Sequence, residues 1–250
     1  MLADKISFWI KDYAQQHKLK TLVIGVSGGI DSAVTSVLCA MTGLPVIAVN
    51  LPLHSKQHNT DLSNLHLRWL SNKFENVAID TLCMDEVYDS FKHTLEKYDN
   101  KLGYANSKSR LRMVALYQIA AASGGLVVGT GNKVEDFGVG FFTKYGDGGV
   151  DISPIADLTK TKVRELAATL GVSSLILNAA PTDGLWEDSR SDEQQIGASY
   201  EELEWAMEYV EKNVDSSLTS RQKEVIIIYN KLNQANAHKM KGIPVYKVGD

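Results

Sequence analysis

A short segment rich in glycine and serine, set between a strand pattern and a helix pattern, constrains the fold of this chain more than any other feature. The segment reads Ser27-Gly28-Gly29-Ile30-Asp31-Ser32. It follows an apolar run at residues 21–26, which predicts a buried strand, and it opens a helical period at residues 31–41. A strand that enters a helix through such a short loop is the first part of a βαβ unit, and βαβ units build parallel sheets.

Similar apolar runs and helical periods alternate along the rest of the chain. Further strands are predicted at residues 45–51, 77–79 and 126–129. Further helices are predicted at residues 59–72, 84–98, 107–122, 159–170, 200–212 and 219–234. Residues 137–150 are rich in glycine and have no period, which predicts a mobile loop over a site. We therefore predict an α/β fold in one domain over residues 1–250: a doubly wound, mostly parallel sheet with helices on both faces and helical appendages at both termini.

Charge and cysteine content exclude several classes of function. The chain has 26 Lys and Arg residues against 30 Asp and Glu residues, so it lacks the basic field of a dedicated nucleic-acid binder. Its two cysteines, Cys39 and Cys83, are too few for a disulfide framework or a four-cysteine zinc site and favour a reducing cytoplasm. Polar residues and a glycine pair divide the longest uncharged run, residues 113–132, so we expect no membrane span.

The glycine- and serine-rich segment has the composition of a phosphate-binding loop. Adjacent glycines allow backbone N–H groups to approach an anion, and the following helix directs its positive end to the same place. The loop has no lysine of the Walker type but contains Asp31. A carboxylate beside phosphates requires a cation between them, which makes Asp31 a candidate Mg²⁺ ligand. The simpler alternative is a glycine turn with Asp31 as the helix N-cap.

Two strings resemble a known family. The loop at residues 27–32 resembles the pyrophosphate loop of the ATP pyrophosphatases, whose fold is Rossmann-like, but it does not distinguish their members. The string Phe141-Phe142-Thr143-Lys144-Tyr145-Gly146-Asp147-Gly148-Gly149 resembles the substrate loop of the NAD synthetases. Other matches follow in the same order, from residue 25 to residue 239: Asn106, Lys108, Arg110, Arg112, Met113, Gly129, Thr130, Glu135, Leu158, Thr159, Lys160, Pro181, Thr182, His238 and Lys239.

The resemblance implies a carbon–nitrogen ligase of NAD biosynthesis. Members amidate deamido-NAD to NAD with ammonia in a reaction that depends on ATP and Mg²⁺, passes through an adenylated intermediate and releases AMP and pyrophosphate. The small molecules deamido-NAD, ATP and ammonia are then the partners, together with a second copy in a homodimer. We expect neither nucleic acid nor membrane as a partner.

The resemblance also implies roles for individual residues. The implied ATP contacts are Gly25, Val26, Ser27, Gly28, Gly29, Ile30, Asp31, Ser32, Thr130, Lys160 and Thr182. The implied deamido-NAD contacts are Arg110, Lys144, Asp151, His238 and Lys239. Asp31 and Glu135 are the implied Mg²⁺ ligands, with Asp136 as the alternative to Glu135. Lys160 is expected to offset charge on the departing pyrophosphate, and Asp147 is our hypothesis for the group that accepts a proton from ammonium.

Alternatives concern both the reaction and the nitrogen donor. Another ATP pyrophosphatase, such as a tRNA sulfur-transfer enzyme or a GMP synthetase domain, would share the first loop, and so would a non-catalytic module that senses ATP. Asn132-Lys133 and residues 183–186 resemble glutamine-using relatives, and the segment before Phe141 is one residue longer than in many ammonia-using members. Because the resemblance fills the chain, we expect free ammonia or a separate donor protein rather than an attached glutaminase domain.

Overall fold

Four parallel strands form the central sheet of the computed structural model, which describes residues 1–179, 192–212 and 217–248. The strands are β1 (Leu22–Gly25), β2 (Val46–Asn50), β3 (Val77–Thr81) and β4 (Leu126–Val127). Their order is β3-β2-β1-β4, and β1 pairs in parallel with both β2 and β4. The chain thus builds outward from β1 on one side and then crosses to the other, which is the doubly wound arrangement. This confirms the predicted fold class.

Helices precede, connect and follow the strands. Their bounds are α1 (Leu2–Gln16), α2 (Ile30–Ala40), α3 (Gln57–Lys73), α4 (Asp85–Thr94), α5 (Lys101–Ser123), α6 (Lys160–Leu170), α7 (Ser174–Leu177), α8 (Asp192–Ile196), α9 (Tyr200–Lys212) and α10 (Ser220–Met240). A π-helix at Lys133–Val139 lies between β4 and α6. Within the described residues, no helix is both long and apolar enough to cross a membrane.

Helices cover both faces of the sheet. Leu22 and Ile24 of β1 point to the face on which α1, α2, α3 and α6 pack, and both side chains are fully buried. Val23 points to the opposite face and packs in a cluster with Met113 and Leu116 of α5. Burial of each large apolar side chain contributes roughly 1.5–3 kcal/mol. A further apolar cluster joins α9, α10 and the π-helix, and this cluster supports one side of the site described below.

The predicted elements are present, but several ends were wrong. The last helix continues to Met240 rather than ending at residue 234, because no glycine or proline interrupts the sequence before Gly242. The helix predicted at residues 84–98 ends at Thr94, and the fourth strand stops at Val127. Residues 137–139 belong to the π-helix, so the irregular loop begins three residues later than predicted.

Candidate active site

The glycine- and serine-rich loop connects the carboxyl end of β1 to the first turn of α2. Ser32 Oγ donates to the Gly29 carbonyl at 3.0 Å, and the Ser27 and Ser32 hydroxyl oxygens lie 3.2 Å apart. Gly28 has φ +89°, and a Cβ atom there would lie 2.7 Å from the Asn59 carbonyl of α3. The loop is therefore fixed against α3 in a conformation that favours glycine, with the N-terminal amides of α2 behind it.

A buried lysine joins the loop to two other elements. Lys160 is the first residue of α6, and its side chain is only 3% exposed. Its Nζ atom lies 2.6 Å from Asp31 Oδ2 and 3.0 Å from Glu135 Oε1. The sequence-predicted residues Asp31, Glu135 and Lys160 thus meet at one point, although they are far apart along the chain.

The electrostatics of this centre follow from burial and from the shared cation. Burial raises the pKa of Asp31, and the Lys160 ammonium offsets part of that effect. Burial acts on Glu135 in the same direction, yet attraction to Lys160 and a hydrogen bond from Tyr200 hold the pKa of Glu135 below its ordinary value. Burial alone would lower the pKa of Lys160, but the two carboxylates raise it instead. The ammonium therefore stays charged and neutralises much of the carboxylate charge.

The carboxylates of Asp31 and Glu135 could hold a divalent metal ion. They come from different elements, converge on a point where a cationic group already lies, and offer the oxygen ligands that Mg²⁺ prefers. Asp136 packs against Gly131, where a Cβ atom would lie 1.8 Å from Asp136 Oδ2. Burial and the nearby carboxylates of Asp147, Glu135 and Asp31 raise the pKa of Asp136. Lys160 is paired with Glu135 and Asp31, and the choice between Glu135 and Asp136 as the second Mg²⁺ ligand stays a prediction.

The string at residues 141–149 forms a compact loop against α5. Asp147 Oδ1 accepts hydrogen bonds from Ser109 Oγ at 2.6 Å and from the Thr143 amide at 3.0 Å. Thr143 Oγ1 donates to Asn106 Oδ1 at 2.8 Å. Protein atoms crowded around the carboxyl group raise the pKa of Asp147, although the residue keeps part of its surface exposed to solvent. Such a carboxylate is a stronger proton acceptor than a fully solvated one.

A family model, described as NAD synthase, matches residues 2–242. The chain belongs to the NAD synthase family. It is 35% identical to the NH(3)-dependent NAD(+) synthetase of Finegoldia magna, over 96% of this chain and 93% of that relative. It is 38% identical to the NH(3)-dependent NAD(+) synthetase of Mesoplasma florum, over 94% of this chain and 95% of that relative.

A solved structure adds a relative with a different name. The NMN synthetase from Francisella tularensis has a TM-score of 0.87 and 30% sequence identity to this chain. The similarity covers 99% of this chain and 98% of that one. The two structures thus share one fold over nearly their whole length. The relatives are named for two different products, NAD and NMN.

Four of the five residues that family resemblance assigned to deamido-NAD lie around the rim of the 141–149 loop. Arg110 Nε donates to the Lys144 carbonyl at 3.2 Å, and Lys144 Nζ donates to the His238 carbonyl at 3.0 Å. Lys239 Nζ donates to the carbonyls of Gly140 and Phe142, the latter at 2.8 Å. Arg110, Lys144 and Lys239 therefore lie together, and each of them donates a hydrogen bond to a backbone carbonyl.

The remaining assigned residues lie near the carboxyl ends of the strands. Asp151 accepts from Tyr117 Oη at 2.9 Å and from the Val127 amide at 2.7 Å, which ties it to α5 and β4. Thr130 lies between β4 and the π-helix, on the same edge of the sheet as residues 25–32. Thr182 lies outside the described residues, as do residues 181 and 183–186.

Two residues of the centre escaped the sequence predictions. Tyr200, fully buried at the start of α9, donates through Oη to Glu135 Oε1, and the Lys160 ammonium lies 4.8 Å from its ring centroid. Asn132 Nδ2 donates to Asp31 Oδ1 at 3.3 Å, and Asn132 Oδ1 accepts from the Glu135 backbone N–H at 3.1 Å. Both orient the candidate metal ligands. Asn132 stood out in the sequence only as a residue shared with glutamine-using relatives, and no pattern marked Tyr200.

A π-helix precedes Phe141, in the segment that the sequence resemblance makes one residue longer than in many ammonia-using members. A π-turn contains more residues than an α-turn and occurs frequently at functional sites. Here the π-helix begins after its N-cap Asn132 and ends at Gly140, whose φ of +65° is left-handed. The π-helix carries Glu135, which contacts Lys160, and the chain then enters the 141–149 loop.

Proposed function

We propose that the protein is an ammonia-dependent NAD synthetase, which uses ATP to amidate the nicotinate carboxylate of deamido-NAD. The observation that carries this proposal is the convergence of Asp31, Glu135 and Lys160 beside a phosphate-binding loop. The two curated relatives compared above, both named NH(3)-dependent NAD(+) synthetase, support the nitrogen source.

The first chemical step is adenylation, because ammonia cannot displace oxide from a carboxylate. The nicotinate carboxylate attacks the α-phosphorus of ATP, the bond to the β-phosphate oxygen breaks, and pyrophosphate leaves. The amides and hydroxyls of residues 27–32 hold the pyrophosphate, and Lys160 offsets its charge. Asp31 and Glu135 would hold Mg²⁺, which supplies positive charge at the phosphate oxygens when bound.

The second step is ammonolysis of the mixed anhydride. Ammonia attacks the carbonyl carbon, the carbon–oxygen bond to AMP breaks, the nitrogen loses a proton to solvent, and the amide of NAD remains. Ammonium must first lose a proton, and we assign that proton to the Asp147 carboxylate. Ser109 and the Thr143 amide hold this carboxylate in place. Arg110 and Lys144 supply positive charge at the rim of the same loop for the phosphates of the dinucleotide.

A second candidate substrate is nicotinate mononucleotide. The structural similarity to an NMN synthetase, over 99% of this chain, favours it. The amidation chemistry is the same, because both substrates carry the nicotinate carboxylate and differ in the adenylate half. The ratio of the kcat/KM values for the two acids therefore shows which of them is the better substrate.

One set of incubations tests both candidates and the nitrogen donor. The protein is mixed with Mg·ATP, with either acid, and with either ammonium or glutamine; NAD, NMN and AMP are then measured by mass spectrometry. We expect equal amounts of amide and AMP with ammonium. Absence of both amides would refute the proposed function, and ATP binding without AMP release would indicate the sensing module instead. Lys162→Met, which changes an exposed lysine two residues from Lys160, is the matched control for Lys160→Met.

We also propose one domain over residues 1–250, a cytoplasmic location and a homodimer. Exposed apolar side chains support an interface between copies: Phe8 is 70% exposed and Val114 is 65% exposed. Light scattering after size-exclusion chromatography measures the oligomeric state.

A further inference from the structure

Three polar side chains on α10 meet consecutive parts of the backbone that leads into the 141–149 loop. Asn233 Nδ2 donates to the Gly138 carbonyl at 2.7 Å, and Asn236 Nδ2 donates to the Val139 carbonyl at 2.9 Å. One turn further, Lys239 Nζ donates to the carbonyls of Gly140 and Phe142. Because residues three apart lie on one side of a helix, these side chains form a row. We call Asn233, Asn236 and Lys239 the α10 row.

The row satisfies carbonyls that the end of the π-helix leaves without intrahelical partners. The last carbonyls of any helix lack such partners, and here the left-handed Gly140 turns the chain away. The backbone at Gly140 and helix α10 approach each other closely, since a Cβ atom on Gly140 would lie 2.4 Å from Asn236 Cβ. Glycine at position 140 thus allows α10 to contact the backbone directly.

The other side of the loop is attached to α5. Asn106 and Ser109 bind Thr143 and Asp147, immediately after the stretch held by α10. Lys239 also lies 4.9 Å from the Phe142 ring centroid, so its ammonium contacts both the backbone and the side chain of that residue. The loop is therefore held from both sides, by helices that come from distant parts of the sequence.

We propose that Asn233, Asn236 and Lys239 are positioning residues, which fix the backbone at residues 138–142 and thereby set the place of Asp147. This inference rests on the proposed function for the role of Asp147, and it gives Lys239 a task other than contact with the dinucleotide. It requires that α10 act through the loop backbone, so the loss of a donor must loosen residues 138–147 as well as slow the reaction.

Asn236→Ala and Asn236→Asp test the row, with Gln234→Ala as the matched control. The Asp variant keeps the size of the side chain but cannot donate, and Gln234 is an exposed neighbour on the same helix. Hydrogen exchange of residues 138–147 is measured by mass spectrometry, and pyrophosphate release and amide formation are followed separately. We expect exchange to be about tenfold faster and ammonolysis about tenfold slower in both variants, since a small displacement of a catalytic group lowers rates by 10- to 100-fold. Gln234→Ala should match the wild type in both measurements.

Lys239→Met and Lys239→Arg separate positioning from substrate contact. Met retains the apolar stem against Phe142 without donors, whereas Arg restores donors. If Lys239 positions the loop, Met accelerates exchange in the substrate-free protein and Arg reverses most of the change. Unchanged exchange in Lys239→Met and in both Asn236 variants would overturn the proposal. Because exchange is measured without substrate, this result is independent of whether the wild type produces NAD.

Discussion

Replacement of Lys160 by methionine is the most direct test of the cation shared by Asp31 and Glu135. Methionine has a similar length but no charge, and the Lys160 side chain is 3% exposed, so water cannot easily take the place of the ammonium. The two carboxylates would then lie buried without their common partner. Removal of one member of a buried ion pair costs about 3–5 kcal/mol, and we expect the free energy of unfolding to fall by that amount at neutral pH.

The loss should depend on pH and on magnesium in a defined direction. Without the ammonium, the pKa values of the two carboxyl groups rise in the folded state above their unfolded values. The folded state then binds protons more readily, so the loss is smaller at pH 5 than at pH 8. Magnesium should restore about 2.7 kcal/mol at a hundred times its dissociation constant, and it should stabilise the variant more than the wild type because Lys160 no longer competes.

Urea unfolding followed by tryptophan fluorescence, in EDTA and in magnesium, measures these differences. Lys162→Met is the control, since Lys162 is 58% exposed and its pair with Glu165 contributes about 0–1 kcal/mol. The reasoning is refuted if Lys160→Met loses no more stability than Lys162→Met, or if magnesium stabilises the variant less than the wild type.

Three further predictions concern other parts of the molecule. Tyr200→Phe removes the hydrogen bond to Glu135, so magnesium binding measured by calorimetry should weaken about 10- to 100-fold; an unchanged affinity would contradict this role. Burial lowers the pKa of His66 from 6.5 to about 4, so the native state remains neutral while the unfolded chain takes up a proton. Stability should therefore fall by up to about 3 kcal/mol as the pH drops from 6.5 to 4, and His66→Gln should flatten the denaturation curve over that window. Gly28→Ala should cost about 1–3 kcal/mol and weaken ATP binding, because the left-handed backbone and the 2.7 Å approach to Asn59 both disfavour a side chain. Gly43 has φ +72° and no atom lies within 4 Å of the place that a Cβ atom would take, so Gly43→Ala should lose only the stability that the left-handed backbone costs, as measured by thermal denaturation.

The sequence was sufficient to predict the strands, most helices and the position of the glycine- and serine-rich loop. These features are local: a strand such as β2 is a short apolar run, and the first turn of α2 follows directly from the glycine pair. Family resemblance added Glu135 and Lys160, which no local pattern marks. Their meeting with Asp31 joins residues up to 129 positions apart and depends on the packing of α6 against α2.

The features that the sequence did not reveal depend either on the geometry of the π-helix or on a hydrogen-bond partner that lies far away along the chain. A π-helix has no distinct apolar period, so residues 137–139 were interpreted as loop. Tyr200 looks like any apolar residue at the start of an amphipathic helix until its hydroxyl is placed beside Glu135. Asn233 and Asn236 look like solvent-facing polar residues, because their carbonyl partners lie 95 and 97 positions earlier.

The distance in sequence between α10 and the 141–149 loop also has a consequence for biosynthesis. Phe142 and Lys239 are separated by 97 positions, which a ribosome covers in roughly 5–20 s. All four strands of the sheet are synthesised well before the helix that holds the loop. A nascent chain can thus complete its parallel sheet while the 141–149 loop still lacks one of its two supports, and the loop gains that support only when the last helix docks.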